Sequence, residues 1–425
     1  MRISFPYPEM NPLDVPEQNL LGIFSPSTVK IEEAEGEIIE EAFSHPIGSK
    51  PLSEMVRGCK DVLIATDDYT RTTPVQKILP QLMKELEMAG IKPKGIKILV
   101  ALGTHRPMTE EEMVKKFGQE ILERYSILNH QWWDPSQLVY LGDTEGGTPI
   151  FVNRLVKSAD FIIGVGQIVP HRVSGFSGGG NIIQPGISGE ETTGKTHWLS
   201  AQFKGREMLG KIENPVKQEI ERVAQKAGLN WIINTIQDGS GRLIEVAAGN
   251  PIHAYRTGAI RSHQVYQSEL PQEADIVIAD SYPYDSELWL AAKGVYAAEL
   301  AVKQEGVVIL ITPCPEGVSP SHPEVLEMGY QSFEEVDRKV REGKIQKLTV
   351  AAHLVHVGRV IKERAKGIMV SPGISKEDKE RLGFIHAGEP REALEIAFIL
   401  IGRNARVAVL QRGGEILPVV QASSP

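Results

Sequence analysis

The chain has 425 residues, of which 41% are hydrophobic and 24% charged, the balance of an ordinary soluble protein with enough apolar residues for two or three domains. Its formal net charge of -9 provides no overall positive field, so nucleic acid and an anionic membrane surface are excluded as expected partners. The only cysteines, Cys59 and Cys314, are too few for a disulfide framework or a multi-cysteine metal site, which agrees with a reducing cytoplasm.

Short β-branched runs alternate along the chain with amphipathic helical patterns, which is typical of parallel sheets covered by helices. The sequence therefore predicts an α/β fold. Strands are predicted at Val62–Thr66, Ile96–Leu102, Phe161–Val165, Trp231–Ile236, Ile276–Asp280, Val307–Thr312 and Val407–Leu410. Helix starts are predicted at three cap signals, which are Thr73 with Pro74, Thr109 with Glu112 in a helix ending near Tyr125, and Asn214 with Pro215.

A polar stretch from Tyr266 to Ala274 separates two predicted strands and contains Pro271, so we place a domain boundary there. The first α/β domain is predicted to cover residues 1–268 and the second residues 269–425. We expect the final residues of the second domain to pack back on the first.

Ligands of open α/β sheets bind beyond the carboxyl ends of the strands, and two loops there carry suitable side chains. After the first strand, Arg71 offers a planar donor that matches a carboxylate, and Asp68 can orient it or accept a hydroxyl. After the second strand comes His105, whose unperturbed pKa suits proton transfer near neutral pH. Taken alone, the first loop is equally well explained as an acidic turn with a helix cap. A lone histidine in a loop is more often a surface or packing residue than a catalytic one.

The third loop runs from Gln167 to Asn181 and contains His171 and three successive glycines, Gly178, Gly179 and Gly180. Successive glycines let backbone amides approach a ligand closely, as they do around phosphates and cofactors. A flexible surface loop is the alternative. It fits poorly with the apolar residues on both sides of the segment.

Residues 189–196, GEETTGKT, formally match the phosphate-binding loop of NTPases, which makes an NTPase an alternative function. Against it, Pro and Gly occupy the place of the preceding strand, and two consecutive glutamates would repel a triphosphate. One phosphate could still bind at the small and basic residues Thr192, Thr193, Gly194 and Lys195. His197 follows directly and could complete the coordination of a metal whose other ligands come from a cofactor.

Taken together, these segments resemble the lactate racemase family, whose members carry a nickel-pincer nucleotide. The matching stretches are DDYTRTTP from Asp67, ALGTHRP from Ala101, GQIVPHRVSGFSGGG from Gly166, QPGISGEETTGKTHW from Gln184 and AAKG from Ala291. The resemblance implies two α/β domains with the cofactor and the active site in the cleft between them. It also implies a small 2-hydroxy acid as the substrate and cofactor-synthesis proteins as partners.

The resemblance implies a role for each matching residue. His197 matches the protein ligand to nickel, and His105 and His171 match the pair of acid-base histidines. Asp68 and Arg71 match residues near the first histidine and the substrate carboxylate, and Lys293 matches a lysine from the second domain. The implied activity is that of an isomerase, a racemase or epimerase that inverts C2 by hydride transfer to and from the cofactor. A homologue that binds the cofactor without catalysis is a second alternative.

The chain departs from the family pattern at two places. Asn181 stands where the lactate enzyme has a lysine covalently linked to the cofactor, so non-covalent binding is predicted, while a replacement tether at Lys195 stays open. Trp289 and Leu290 stand where the lactate enzyme has a Tyr-Gln pair. Because a hydrophobic wall favours apolar surface, the substrate is predicted to have a longer or aliphatic tail than lactate.

Overall fold

The computed structural model describes residues 1–421 and is built around two six-stranded sheets covered by helices. The strands are β1 (Arg2–Ile3), β2 (Leu13–Asp14), β3 (Leu20–Phe24), β4 (Val62–Asp67), β5 (Ile96–Ala101), β6 (Ser126–Asn129), β7 (Leu138–Asp143), β8 (Pro149–Asn153), β9 (Phe161–Gln167), β10 (Pro170–His171), β11 (Gly175–Phe176), β12 (Leu229–Gln237), β13 (Leu243–Gly249), β14 (Gln267–Leu270), β15 (Ala274–Asp280), β16 (Val302–Ile311), β17 (Ala365–Val370), β18 (Ile385–Ala387), β19 (Val407–Leu410) and β20 (Leu417–Val420). The α-helices are α1 (Glu35–Ser44), α2 (Leu52–Met55), α3 (Val75–Met88), α4 (Glu110–Phe117), α5 (Gln119–Arg124), α6 (Glu190–Ala201), α7 (Gly205–Met208), α8 (Pro215–Ala227), α9 (His253–Tyr266), α10 (Leu288–Ala301), α11 (Glu324–Met328), α12 (Phe333–Arg341), α13 (Leu348–Gly358), α14 (Lys376–Leu382) and α15 (Pro390–Ile401). None of the helices within residues 1–421 is both long and apolar enough to cross a membrane.

The first sheet has the strand order β13-β12-β9-β4-β5-β6, and only β13 runs antiparallel to its neighbour. Every residue of β4 and of β9 is buried, as expected for parallel strands with helices on both faces. Asp67 of β4 lies opposite Ala101 of β5, and Thr66 lies opposite Val165 of β9. The three strands therefore end at the same edge, and their following loops meet there.

The second sheet is entirely parallel, with the order β18-β17-β16-β15-β19-β3. Its last strand, β3, comes from the start of the chain, so the earliest residues lie with the second sheet and not with the first. The prediction that all of residues 1–268 belong to the first domain therefore needs a correction for β3, which pairs with β19. Nothing in the sequence of β3 indicates a partner strand so distant along the chain. The boundary after residue 268 itself stays a prediction. At the junction, β14 pairs with β20 near the end of the described chain.

All seven predicted strands are present, and two of the three predicted helix starts are confirmed. Thr109 and Glu112 form a capping box before α4, and the Asn214 side chain accepts a hydrogen bond from the Lys217 amide of α8 at 2.8 Å. The third helix, α3, begins at Val75, one residue after the predicted start, because Pro74 is its cap and the Thr73 hydroxyl bonds to Asp67 instead. The helical segment after Thr109 ends at Arg124, close to the predicted end, but Gly118, with a φ of 84°, divides it into α4 and α5.

Helices from the second half of the chain close over the carboxyl edge of the first sheet. Along α6, Glu190 accepts a hydrogen bond from the Thr349 hydroxyl of α13 at 2.6 Å. On the other side, the Arg106 guanidinium makes two hydrogen bonds of 2.9 Å to the Glu316 carboxylate. These contacts join α13 to α6, and the loop after β16 to the loop after β5.

Candidate active site

A cavity of about 170 Å³ lies between the carboxyl edge of the first sheet and helices α10 and α13. Most of the residues predicted from sequence line it, namely Asp68, Arg71, His105, His171, Gly178, Asn181, His197, Trp289, Leu290 and Lys293. They come from five separate segments of the chain. The parallel register of β4, β5 and β9 brings the first three segments together, and the packing of α10 completes the set.

His105 is held by Asp68 at one side of the cavity. Its Nδ1 lies 2.6 Å from Asp68 Oδ2, and the exposed fractions of the two side chains are 12% and 2%. Burial alone would raise the pKa of Asp68, but the contact with His105 holds it well below its usual range, and the Thr70 hydroxyl bond lowers it further. Because a carboxylate accepts the hydrogen bond, Nδ1 of His105 carries a proton, and in the neutral imidazole Nε2 is the nitrogen with the lone pair.

His171 also lines the cavity and lies in the short hairpin formed by β10 and β11. Its Nδ1 is 3.0 Å from the Ser174 hydroxyl oxygen, which also donates to the Phe176 carbonyl at 2.8 Å. Burial, followed by the nearby cations Lys293 and Arg71, lowers the pKa of His171 well below its ordinary value. The imidazole is therefore neutral at pH 7 and can accept a proton.

Arg71 and Lys293 bring two positive charges together over one aromatic ring. The Lys293 ammonium lies 3.2 Å from the centroid of the Tyr284 ring, and Cζ of Arg71 lies 5.3 Å from it. Burial and the charge of Arg71 hold the pKa of Lys293 well below its usual range, and Nη1 of Arg71 is buried without a hydrogen-bond partner. An anion between these side chains would relieve both their repulsion and their lost hydration.

His197 projects from α6 with one ring nitrogen engaged. The Nδ1 atom lies 2.9 Å from the Thr193 carbonyl, which can only accept, so Nδ1 carries the proton and Nε2 is free. Burial lowers the pKa of His197 to about 4, which keeps the imidazole neutral. Within residues 1–421 no group of three or more His, Cys, Asp or Glu is arranged to hold a metal ion. A metal at His197 would need its other ligands from a cofactor.

Only part of the predicted glycine cradle faces the cavity. Gly178 lines it with a φ of 87°, and an added Cβ there would lie 2.6 Å from Ile168. Gly179 and Gly180 do not line it, which corrects the prediction for these two residues. The turn that they begin packs its back against the Tyr255 ring and against Ala224 of α8.

Thr192, Thr193, Gly194 and Lys195 also lie outside the cavity, and they are in helix α6 and not in a loop. The Thr192 hydroxyl bonds to backbone groups of β8, Gly194 packs on Leu348, and Lys195 is exposed on the outer face. Helix α6 begins at Glu190, so the NTPase-like sequence forms no phosphate-binding loop. Lys195 is not placed where it could reach a group in the cavity.

Other lining residues were not predicted, among them Arg172, Asn234, Tyr296, His353 and His356. Arg172 is only 3% exposed, and while its Nη2 donates to the Phe203 carbonyl at 2.9 Å, its Nε and Nη1 have no partner. His353 lies between two tyrosine hydroxyls, and Nε2 of His356 is 3.0 Å from the Ser200 hydroxyl. For Arg172, the one signal in the sequence that could have indicated a place in the site was its position directly after His171.

Comparisons with known proteins match both halves of the chain. Residues 8–208 match the family model of the lactate racemase N-terminal domain, and residues 270–417 match that of the lactate racemase C-terminal domain. The lactate racemase of Thermoanaerobacterium thermosaccharolyticum is 28% identical over 98% of both chains. That of Lactiplantibacillus plantarum is 31% identical over 74% of this chain and 75% of its own.

Solved structures agree with this assignment. The lactate racemase apoprotein from Thermoanaerobacterium thermosaccharolyticum superposes with a TM-score of 0.87 at 27% identity, covering 99% of this chain and all of that one. A protein from Thermotoga maritima shares the fold, with a TM-score of 0.74 at 23% identity over 93% of this chain.

Proposed function

The chain belongs to the lactate racemase family and is an isomerase of the lactate racemase type, and from that premise we propose that it inverts C2 of a 2-hydroxy acid. The observation that carries the proposal is the convergence of His105 and His171 on one cavity that also contains Arg71 and Lys293. Two imidazole bases, together with an arginine and a lysine that can hold a carboxylate, are what inversion at C2 of a 2-hydroxy acid requires.

Arg71 and Lys293 would bind the carboxylate of the substrate. Both lie over Tyr284, whose hydroxyl accepts a hydrogen bond from the Gln167 amide at 2.8 Å and is thereby fixed. A carboxylate bound between them is held the same way in both enantiomers. Its C2 hydroxyl then points to one side of the cavity in one enantiomer and to the other side in its mirror image.

The two histidines would each serve one enantiomer. Each removes the hydroxyl proton when its enantiomer is consumed and returns a proton when that enantiomer is formed. The Asp68 carboxylate stabilises the imidazolium of His105, whereas His171 rests on the neutral Ser174 hydroxyl among cations. His171 would therefore release its proton more readily than His105 does.

The residues around the cavity fit a nickel-pincer nucleotide. His197 offers one neutral donor nitrogen, and Arg172 is a buried cation with unpartnered N–H groups for an anionic part of the nucleotide. When bound, this group would take the C2 hydrogen as hydride and return it to the planar 2-keto acid. We propose that it is held without a covalent link, that cofactor-synthesis proteins supply it, and that the enzyme acts in the cytoplasm.

We propose that Trp289 and Leu290 contact the tail of the substrate. Leu290 is buried, and the Trp289 ring is stacked between the imidazoles of His322 and His353 at centroid distances of 4.3 and 4.1 Å. Stacking on both faces keeps the indole rigid, so it presents a fixed edge to a ligand. Such a wall favours an apolar tail.

2-Hydroxybutyrate and longer aliphatic homologues are expected to have a higher kcat/KM than lactate. Each methylene that reaches the wall contributes about 0.8 kcal/mol, which is about fourfold. Enzyme made together with the cofactor-synthesis proteins would be given single enantiomers, and the product would be resolved by chiral chromatography. Leu290→Gln should abolish the preference, whereas the matched change Leu300→Gln on the same helix, outside the cavity, should preserve it. Lactate as the best substrate would contradict the assignment of the wall.

The same assay separates the proposal from its two alternatives. A cofactor-binding homologue without catalysis would convert no enantiomer of any 2-hydroxy acid, although it would contain nickel. An NTPase would hydrolyse nucleotide in a magnesium-dependent manner that Lys195→Ala abolishes. The helical conformation of residues 190–201 and the exposure of Lys195 weigh against the NTPase.

A further inference from the structure

Lys217 is a buried lysine in a place that is unfavourable for a positive charge. Its side chain is 1% exposed, and it lies in the first turn of α8, where the helix dipole disfavours cations. The carboxylates that influence it, Glu221 and Glu213, pair with Arg256 instead. Burial accordingly lowers the pKa of Lys217 to about 7. Burying a lysine at such a position costs free energy, which the contacts of its ammonium group must offset.

The Lys217 ammonium makes three contacts, all of them next to the cavity. It donates to the Gly178 carbonyl at 3.0 Å and to the Asn181 side-chain oxygen at 2.6 Å. It also lies 3.6 Å from the centroid of the Tyr255 ring. Both acceptors belong to residues that line the cavity, whereas Lys217 itself does not line it.

These contacts determine which way the Asn181 amide faces. An ammonium group can only donate, so the amide oxygen must point to Lys217 and the amide nitrogen away from it. That nitrogen donates to the Ser174 hydroxyl at 3.1 Å, and the same hydroxyl supports Nδ1 of His171 at 3.0 Å. Asn181 lines the cavity, and its second N–H makes no hydrogen bond to another of the described residues.

We propose that Lys217 is a positioning residue that fixes the Asn181 amide as a hydrogen-bond donor, and that Asn181 thereby binds an acceptor group of the cofactor without a covalent bond. The inference rests on the proposed function. It explains how a chain with Asn181, instead of the lysine implied by the family resemblance, retains a cofactor. It also gives Asn181 a second contact, through Ser174, to one of the proposed bases.

The test uses enzyme made together with the cofactor-synthesis proteins, and its readouts are nickel per protein after desalting and the mass under native and denaturing conditions. Asn181→Asp is the decisive variant, because it keeps an acceptor for Lys217 but presents a carboxylate oxygen to the cavity. We expect its nickel content to fall about tenfold or more, since the N–H that donates to the cofactor is replaced by a carboxylate oxygen, which can only accept. Lys217→Met, which lacks any donor, should lose nickel too, and Lys217→Gln should restore part of it.

Lys379→Met is the matched control, because Lys379 is another buried lysine and donates to the Ser371 carbonyl at 2.7 Å, outside the cavity. Its nickel content should be unchanged, and thermal unfolding should show that Asn181→Asp remains folded. If Lys217→Met fails to fold, Asn181→Asp decides the question.

Wild-type enzyme should release the cofactor on denaturation. A covalent adduct on Lys217, or an Asn181→Asp variant that holds as much nickel as the wild type, would overturn the inference while leaving the proposed function in place. A wild-type protein without nickel would overturn both.

Discussion

Replacing His105 with asparagine is expected to lower kcat by about a hundredfold to ten-thousandfold for both enantiomers, which is what a positioned acid-base group contributes. Asparagine keeps a donor for Asp68 but has no basic nitrogen. Both directions should be affected, because each turnover uses one histidine to remove a proton and the other to return one. Steady-state kinetics with chiral detection, expressed per nickel-loaded protein, would measure the loss.

His45→Asn is the matched control for this variant. The His45 side chain is 74% exposed, pairs with Glu41 at 3.0 Å and does not line the cavity. Its kcat should equal that of the wild type. If the His105 variant kept more than a tenth of the wild-type kcat at full nickel content, His105 would not be an acid-base residue.

His197→Ala is expected to remove essentially all bound nickel while leaving the fold intact. The free Nε2 is the one nitrogen of this residue that can reach a metal, and alanine is the most favourable residue for the helix that carries it. Metal analysis after desalting and a thermal unfolding curve would measure the two effects.

Lys195→Ala provides the control on the same helix, since Lys195 is exposed and two residues away. Nickel should be retained in that variant. Undiminished nickel in His197→Ala would show that the metal is held elsewhere. Loss of the cofactor from Lys195→Ala would instead restore Lys195 as a candidate tether.

The part of the site built from loops after strands could be predicted from the sequence. Buried strands carry a local signal, and parallel register places Asp68, His105 and His171 at one edge without further information. Local signals do not say which side of a turn faces a ligand. Gly179 and Gly180 have the composition of a cradle, but their turn packs against α8 and α9.

Long-range packing determined the rest of the site. His353 and His356 lie in a helix whose sequence, LTVAAHLVHVG, is apolar enough to indicate only a core helix, and they reach the cavity because α13 packs on α6. Lys217 is separated from Asn181 by 36 residues and gives no sign in the sequence of its contact with it. The placement of β3 in the second sheet was beyond prediction for the same reason.

A substrate labelled with deuterium at C2 tests the central claim most directly. If His105 and His171 act on the hydroxyl oxygen alone, the hydrogen at C2 never exchanges with water, because no residue removes it as a proton. Racemisation of the labelled acid in ordinary water, followed by mass analysis of both enantiomers, should therefore show the label retained. Product that had lost most of its deuterium to solvent would mean that the histidines remove a proton from C2 directly, and would contradict hydride transfer even in an enzyme that contains nickel.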